Sequence, residues 1–160
     1  TKLLQFKAET YVKADLDVVY KVLVNVENMH TWYEKVKKVV LLKIITDTEG
    51  VYLLEYGLPL PFENRISTLK GSISYDKTKG IIKVNSAYHP HNIPEKYQKF
   101  PLITQIKSSW DIESVKNSYV RIIHSGYMDP GGNIPLWLTN ESVTSAPVKS
   151  IINLMKLLNR

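Results

Sequence analysis

The strongest constraint on this chain is a series of short segments with the composition and periodicity of β-strands. In the first, Leu4, Phe6 and Ala8 alternate with polar residues. A period of two places successive side chains on opposite faces of a strand, which predicts one buried face. Later segments alternate in the same way or are rich in β-branched and aromatic residues: 39–45, 51–58, 65–75, 82–88, 106–112 and 119–127.

The connections predict how these strands pair. Short turn sequences lie at 47–50, 76–80 and 116–117, so successive strands form hairpins and an antiparallel meander. Asp15 is typical of a helix cap and precedes a helical pattern at 16–25, with a second short turn at 27–33.

The end of the chain predicts one long amphipathic helix over 134–158. Its apolar stripe has helical spacing, and Pro147 is expected to kink or interrupt the helix. The stripe comprises Val148, Ile151, Ile152, Met155 and Leu158. We therefore predict an α+β domain over residues 1–160. A curved antiparallel sheet of about seven strands wraps around the C-terminal helix.

Composition and charge exclude several function classes. The 160 residues contain no cysteine, so there is no disulfide framework, thiolate metal cluster or thiol nucleophile. The net charge of +6 comes mainly from lysine, and the three arginines are too scattered for typical base or phosphate readout, so we expect no nucleic-acid partner. Apolar runs are interrupted by Lys43 and Glu49, so no membrane-spanning helix is expected. No feature assigns a compartment.

Motifs for catalysis and metal binding are weak. His89 and His91 have no third ligand nearby in sequence, and neither GxSxG nor HExxH occurs. We expect no metal, no cofactor and no catalytic residue. His124, in mid-strand, is either a core histidine or a general base, and alternation leaves its face open.

Three stretches resemble the START lipid-transfer domain, a branch of the helix-grip superfamily that includes birch-pollen-allergen-like proteins and polyketide cyclases. They are Pro59-Leu60-Pro61-Phe62-Glu63-Asn64-Arg65, then Ser86-Ala87-Tyr88-His89-Pro90 followed by Trp110, and Asp129-Pro130-Gly131-Gly132-Asn133-Ile134-Pro135-Leu136-Trp137-Leu138-Thr139-Asn140. The resemblance implies a helix-grip fold with an internal cavity. Ile66 stands where the family motif has an acid. Tyr52 and Gly71 occupy positions where some sterol-binding members carry an acidic and a basic residue, so sterol specificity is not implied.

Candidate cavity residues follow from the predicted inward faces. Arg65 is expected either to anchor a ligand or to pair with Glu63 or Glu55, because an unpaired guanidinium is costly in an apolar interior. Tyr119 is a further aromatic candidate. The other expected lining residues are Tyr52, Leu54, Tyr56, Leu69, Val84, Tyr88, Ile106, Trp110, His124, Ile151 and Met155.

Three functions remain open at this point. The first is non-catalytic binding or transfer of a lipid or other hydrophobic small molecule. Ligand entry would then require motion of the C-terminal helix or of the loops at 59–63 and 89–101, with transient contact to an anionic membrane. The alternative for the C-terminal helix is a static core element. The second is a cyclase or hydratase of the superfamily acting on an aromatic or polyketide-like substrate. The third is an interaction module with a filled core.

Overall fold

A seven-stranded antiparallel sheet dominates the computed structural model, which describes residues 3–159. The strand order is β1-β7-β6-β5-β4-β3-β2, so consecutive strands from β2 to β7 are neighbours and β1 joins beside β7. The predicted meander is confirmed. The strands are β1 (Gln5–Lys13), β2 (Val36–Thr46), β3 (Glu49–Tyr56), β4 (Arg65–Asp76), β5 (Ile81–Tyr88), β6 (Gln105–Ser114) and β7 (Tyr119–Asp129).

The connection between the two edge strands crosses one face of the sheet. It consists of helix α1 (Leu16–Val24) and a 3-10 helix (Val26–Thr31). The Asp15 carboxylate accepts a 2.7 Å hydrogen bond from the Asp17 backbone N–H, which makes it the predicted cap. Three register shifts in β2 bend that strand. The sheet therefore curves around the crossing segment.

The C-terminal helix predicted over 134–158 is interrupted, which is one of the two outcomes expected of Pro147, but the break lies at Thr144. Helix α2 (Leu136–Val143) and helix α3 (Ser145–Leu158) are separated by Thr144, whose φ of −116° and ψ of −80° are not helical. Pro147 lies in the first turn of α3, where its missing N–H costs no hydrogen bond. A proline ring clashes with the carbonyl four residues earlier, so the break falls before the proline and no kink occurs at it.

Helix α3 closes the concave side near β1, β6 and β7. Ile151 and Leu154 pack there against Trp110, Val120 and other buried side chains of the main core. The helix contributes core contacts to one half of the concave face. The other half of the concave face, under β2 to β5, is covered by α1 and the 3-10 helix.

The outer face of the sheet carries a second apolar layer. The proline-rich loop 89–104 places Tyr97 against Leu53 and Ile66, and all three are buried. Thr68, on the same outer face, is buried as well and donates a 2.7 Å hydrogen bond to the His89 carbonyl. Alternation shows which residues share a face, but it cannot show that a loop returns to cover that face.

None of the helices between residues 3 and 159 is both long enough and apolar enough to cross a bilayer.

Candidate ligand-binding pocket

A pocket of about 410 Å³ lies between the concave face of the sheet and the segment from the end of α1 to Tyr33. Strands β2 to β6 supply its floor, and residues of α1 and the 3-10 helix, including Leu23 and Met29, supply its wall. Ile44 at its rim is 69% exposed. The pocket opens between the β2–β3 hairpin and the end of α1.

The space under the wall comes from a row of small residues that crosses the sheet. Gly50 pairs with Gly71, Gly71 with Ser86, Ser86 with Ser108, and Ser108 with Gly126. The first four of these line the pocket. Side chains on flanking rows are large, so the row leaves a channel where a packed core would place branched side chains.

Tyr52 lies beside the glycine end of this row. A side chain at Gly50 would meet its ring carbon at 3.2 Å and its hydroxyl at 3.3 Å. Burial raises the pKa of Tyr52, and the Glu27 carboxylate raises it further. The hydroxyl is therefore a neutral polar group close to the mouth.

Three aromatic rings separate the pocket from α3. The ring of Trp32 lies 5.7 Å from those of Tyr33 and Trp110, and the Tyr33 and Trp110 rings are 6.2 Å apart, all edge to face. All three rings line the pocket. Ile151 and Leu154 pack behind them in the main core. This aromatic wall fixes the deep boundary of the pocket.

A buried hydrogen-bonded chain lies behind the aromatic wall. The Tyr33 hydroxyl is 2.8 Å from His124 Nε2, and His124 Nδ1 is 3.1 Å from the Ser109 carbonyl oxygen. The imidazole stacks on Trp110 with ring centroids 3.8 Å apart. Burial lowers the pKa of His124 to about 4 and raises that of Tyr33 well above its usual range, so both groups are neutral at pH 7.

The charge of the lining is opposite in sign to that of the chain. The described lining residues include two charged groups, Asp47 and Glu49, both at the mouth. Glu49 is paired with Lys70 at 3.2 Å. No lysine or arginine among residues 3–159 lines the pocket, so no cation is placed to meet an anionic group inside.

Comparisons with known proteins agree with this architecture. No family model matches the chain. The structure is similar to a STAR-related lipid transfer protein from Xanthomonas axonopodis, with a TM-score of 0.82, 28% sequence identity, and coverage of 99% of this chain and 87% of that one. This structural neighbour supports a START domain of the helix-grip superfamily, as the sequence resemblance predicted.

More distant relatives show how far the fold extends. Human STARD10 matches with a TM-score of 0.82 and 20% identity, over 99% of this chain and 64% of that one. The Zhui aromatase/cyclase from a Streptomyces species matches at 0.68 and 13%, over 99% and 95%. An uncharacterized Pseudomonas aeruginosa protein, PA1579, is 23% identical over 94% of this chain and 73% of its own. At these identities the two solved structures share the fold alone.

Seven of the twelve side chains expected to line the cavity are in the lining of the pocket. They are Tyr52, Leu54, Tyr56, Leu69, Val84, Ile106 and Trp110. Each lies on a strand whose inward face alternation gave correctly. The other five, Arg65, Tyr88, His124, Ile151 and Met155, do not line it.

Arg65 differs most from its expectation. It is buried on the inward face, but its guanidinium donates to the backbone carbonyl oxygens of Glu63, at 2.7 Å, and Pro130, at 3.1 Å. The Glu55 carboxylate instead accepts from Asn64 at 2.8 Å. Through these two bonds Arg65 ties the β3–β4 loop to the β7–α2 loop, beyond the end of the pocket.

The remaining four are explained by the aromatic wall and by packing. His124, Ile151 and Met155 lie in or against the main core behind Trp32 and Trp110. Tyr88 packs against the smaller core beside Leu69. Tyr119, a further candidate, is 42% exposed, because Val120, Ile122 and His124 occupy the inward face of β7.

Sequence reasoning missed the wall of the pocket. Val26, Met29, Trp32 and Tyr33 belong to a 3-10 helix and the turn after it, where side chains follow neither the strand nor the α-helix period. One signal was present, since Trp32-Tyr33 lies within the segment 27–33 that was expected to be a turn. Adjacent aromatics in a turn need an apolar surface to cover.

Proposed function

We propose that this START domain binds and carries a lipid or other hydrophobic small molecule without altering it. The observation that carries the proposal is the pocket itself, a space of about 410 Å³ held open by the row of small residues and bounded by the aromatic wall. That volume lies within the roughly 300 to 1,000 Å³ typical of small-molecule sites. A filled-core interaction module would have large side chains at Gly71, Ser86 and Ser108.

The lining is suited to an amphipathic ligand. Leucine, isoleucine, valine and aromatic side chains form most of it, and hydroxyl groups of Tyr33, Ser86 and Ser108 lie at one end. Each methylene taken out of water contributes about 0.8 kcal/mol. An alkyl chain in the apolar part thus supplies affinity, while the hydroxyl groups orient its polar end.

A cyclase or hydratase is the second candidate, favoured by the Tyr33–His124 pair at the pocket wall. Two features oppose it. The His124 imidazole lies behind Trp110 with both nitrogens already hydrogen-bonded, and the raised pKa of Tyr33 keeps its hydroxyl from acting as a base at neutral pH. The pair is arranged to hold a hydroxyl in place.

We further propose that exchange takes place at an anionic membrane surface. Val148 and Ile152 of α3 are exposed at helical spacing beside the exposed Lys149 and Lys156. Apolar side chains flanked by lysines are typical of a surface that rests on acidic headgroups. Ile151 and Met155, expected on the same stripe, pack into or against the core.

The test is ligand capture from the expressing cell, followed by native mass spectrometry of the gently purified protein. Wild type is expected to carry a small molecule, and Gly71→Leu is expected to carry less, because the new side chain fills the pocket. Lys83→Leu is the matched control, since Lys83 is exposed on the neighbouring strand. The proposal is contradicted if the three proteins carry equal amounts of ligand. It is also contradicted if wild type purifies without a ligand and takes none up when cell extract is added to it.

Membrane exchange is tested by transfer of a fluorescent lipid between vesicles. Transfer to vesicles that contain anionic lipid is expected to exceed transfer to zwitterionic vesicles, and Ile152→Ser with Lys156→Ser is expected to remove that difference. An unchanged rate in the double variant would show that this face does not touch the bilayer.

A further inference from the structure

The direction of the hydrogen bonds behind the pocket wall determines what the wall presents to a ligand. The Ser109 carbonyl oxygen only accepts, so His124 Nδ1 carries the proton that is donated to it across 3.1 Å. In the neutral imidazole Nε2 then carries no hydrogen. It therefore accepts from the Tyr33 hydroxyl, 2.8 Å away.

The hydroxyl hydrogen of Tyr33 is thus committed to His124, behind the wall. Tyr33 lines the pocket. Toward a group in the pocket its hydroxyl can therefore only accept a hydrogen bond, through the lone pairs of its oxygen. The chain of hydrogen bonds runs from Tyr33 at the wall to His124 and on to the Ser109 carbonyl.

Each group at this end of the pocket is therefore matched by a different part of a ligand. Tyr33 needs a donor. The serine hydroxyl groups of Ser86 and Ser108 can donate or accept. A neutral hydroxyl group satisfies both, since it donates to Tyr33 and accepts from a serine, whereas an ether or ester oxygen leaves Tyr33 without a partner.

A carboxylate is disfavoured at the same place for two reasons. It has no hydrogen to donate to the Tyr33 oxygen, and the charged residues of the lining, Asp47 and Glu49, have its own sign. Arg65 is held by the carbonyl oxygens of Glu63 and Pro130 outside the lining. A buried anion without a cationic partner is strongly unfavourable.

From these contacts we infer that the pocket is selective for neutral hydroxylated amphiphiles, with the ligand hydroxyl donating to Tyr33 and His124 acting as the positioning residue that sets this polarity. The inference rests on the proposed carrier function and specifies its ligand class. Binding of any apolar probe tests the carrier function, and the ratio between probes of equal length tests the inference.

The experiment measures displacement of a fluorescent apolar probe by dodecanol, dodecyl methyl ether and dodecanoate at neutral pH. Dodecanol is expected to bind wild type roughly tenfold more tightly than the ether, the effect of one buried hydrogen bond with its unpaired partner. Dodecanoate is expected to bind most weakly. Equal affinities for alcohol and ether, or tighter binding of dodecanoate, overturn the inference, while displacement by none of the three overturns the carrier function as well.

Two variants separate the polarity of Tyr33 from its packing. His124→Leu removes the acceptor behind the wall and frees the Tyr33 hydrogen to donate into the pocket, so ether affinity should rise and the alcohol-to-ether ratio should fall toward one. Tyr33→Phe should lower the same ratio by weakening alcohol binding. The inference is overturned if both variants keep the alcohol-to-ether ratio of wild type. Each ratio compares two ligands in the same protein, so a loss of stability in a variant does not change the ratio. If neither variant folds, the wild-type comparison decides.

Discussion

The Tyr33 hydroxyl donates a 2.8 Å hydrogen bond to His124 Nε2, which joins the turn after the first helical segment to the middle of β7. These residues are 91 positions apart in sequence. The bond connects the wall of the pocket to the core behind it, and both groups are neutral because burial disfavours their charged forms.

Stability should therefore depend on pH through His124. Burial lowers its pKa to about 4, from an ordinary value of 6.5, so between these values the unfolded chain binds more protons than the folded one. The free energy of unfolding should rise with pH across this window and level off above it, by about 3 kcal/mol from this group. Urea unfolding from pH 4 to pH 7 measures the change, and His124→Leu should remove that part of the slope. Equal slopes in both proteins would contradict the assignment.

Tyr33→Phe should destabilise the fold by about 1 to 3 kcal/mol, because it leaves a buried imidazole nitrogen without its donor. Tyr11→Phe is the matched control. The Tyr11 ring is 52% exposed and its hydroxyl lies 3.4 Å from a Glu9 oxygen, so its loss should change stability by less than about 0.5 kcal/mol. Denaturant unfolding compares the two, and equal effects would show that the Tyr33–His124 bond contributes nothing particular.

Arg65→Met should lower stability without changing which ligands bind. The side chain loses two charge-assisted hydrogen bonds to backbone carbonyls, each worth about 1.5 to 3 kcal/mol. Arg121→Met, at a partly exposed arginine that bridges Glu9 and Glu113, should lower stability less than Arg65→Met does, because water screens salt bridges at the surface. If Arg65→Met selectively lost the binding of anionic ligands, Arg65 would be part of the binding site and this prediction would be wrong.

The contrast between Arg65 and the strand residues shows what sequence can supply. Alternation placed Leu69 and Gly71 on the inward face correctly and placed Arg65 there too, but a shared face extends beyond the pocket at both ends. The position of the pocket along that face depends on Trp32 and Tyr33, which lie on no periodic element. Their partners, Trp110 and His124, are distant in sequence, so no local pattern indicates that the four rings meet.

The C-terminal helix illustrates a second limit. Of the predicted stripe, Ile151 and Leu158 are buried, whereas Val148 and Ile152 are exposed, and the buried Leu154 was not part of the prediction. Spacing cannot say whether such a stripe faces a cavity or fills it. Here the aromatic wall separates α3 from the pocket, so the helix stabilises the core while the β2–β3 hairpin and the end of α1 frame the opening.

Two glycines of the small-residue row should respond oppositely to alanine. At Gly71 an added methyl group meets its nearest neighbours at 3.9 to 4.0 Å, which is ordinary contact, and it projects into the pocket. At Gly126 the same methyl group would collide with the Lys107 carbonyl oxygen of the neighbouring strand, which is backbone and cannot move aside alone.

Gly71→Ala should therefore hold or raise stability by up to about 1 kcal/mol, through lower unfolded-state entropy. Gly126→Ala should destabilise, because β6 and β7 must separate to admit the methyl group. Thermal unfolding in the absence of ligand measures both. A destabilised Gly71→Ala would mean that the space beside Gly71 is not open, and a neutral Gly126→Ala would mean that the β6–β7 pair is not held as tightly as its register indicates.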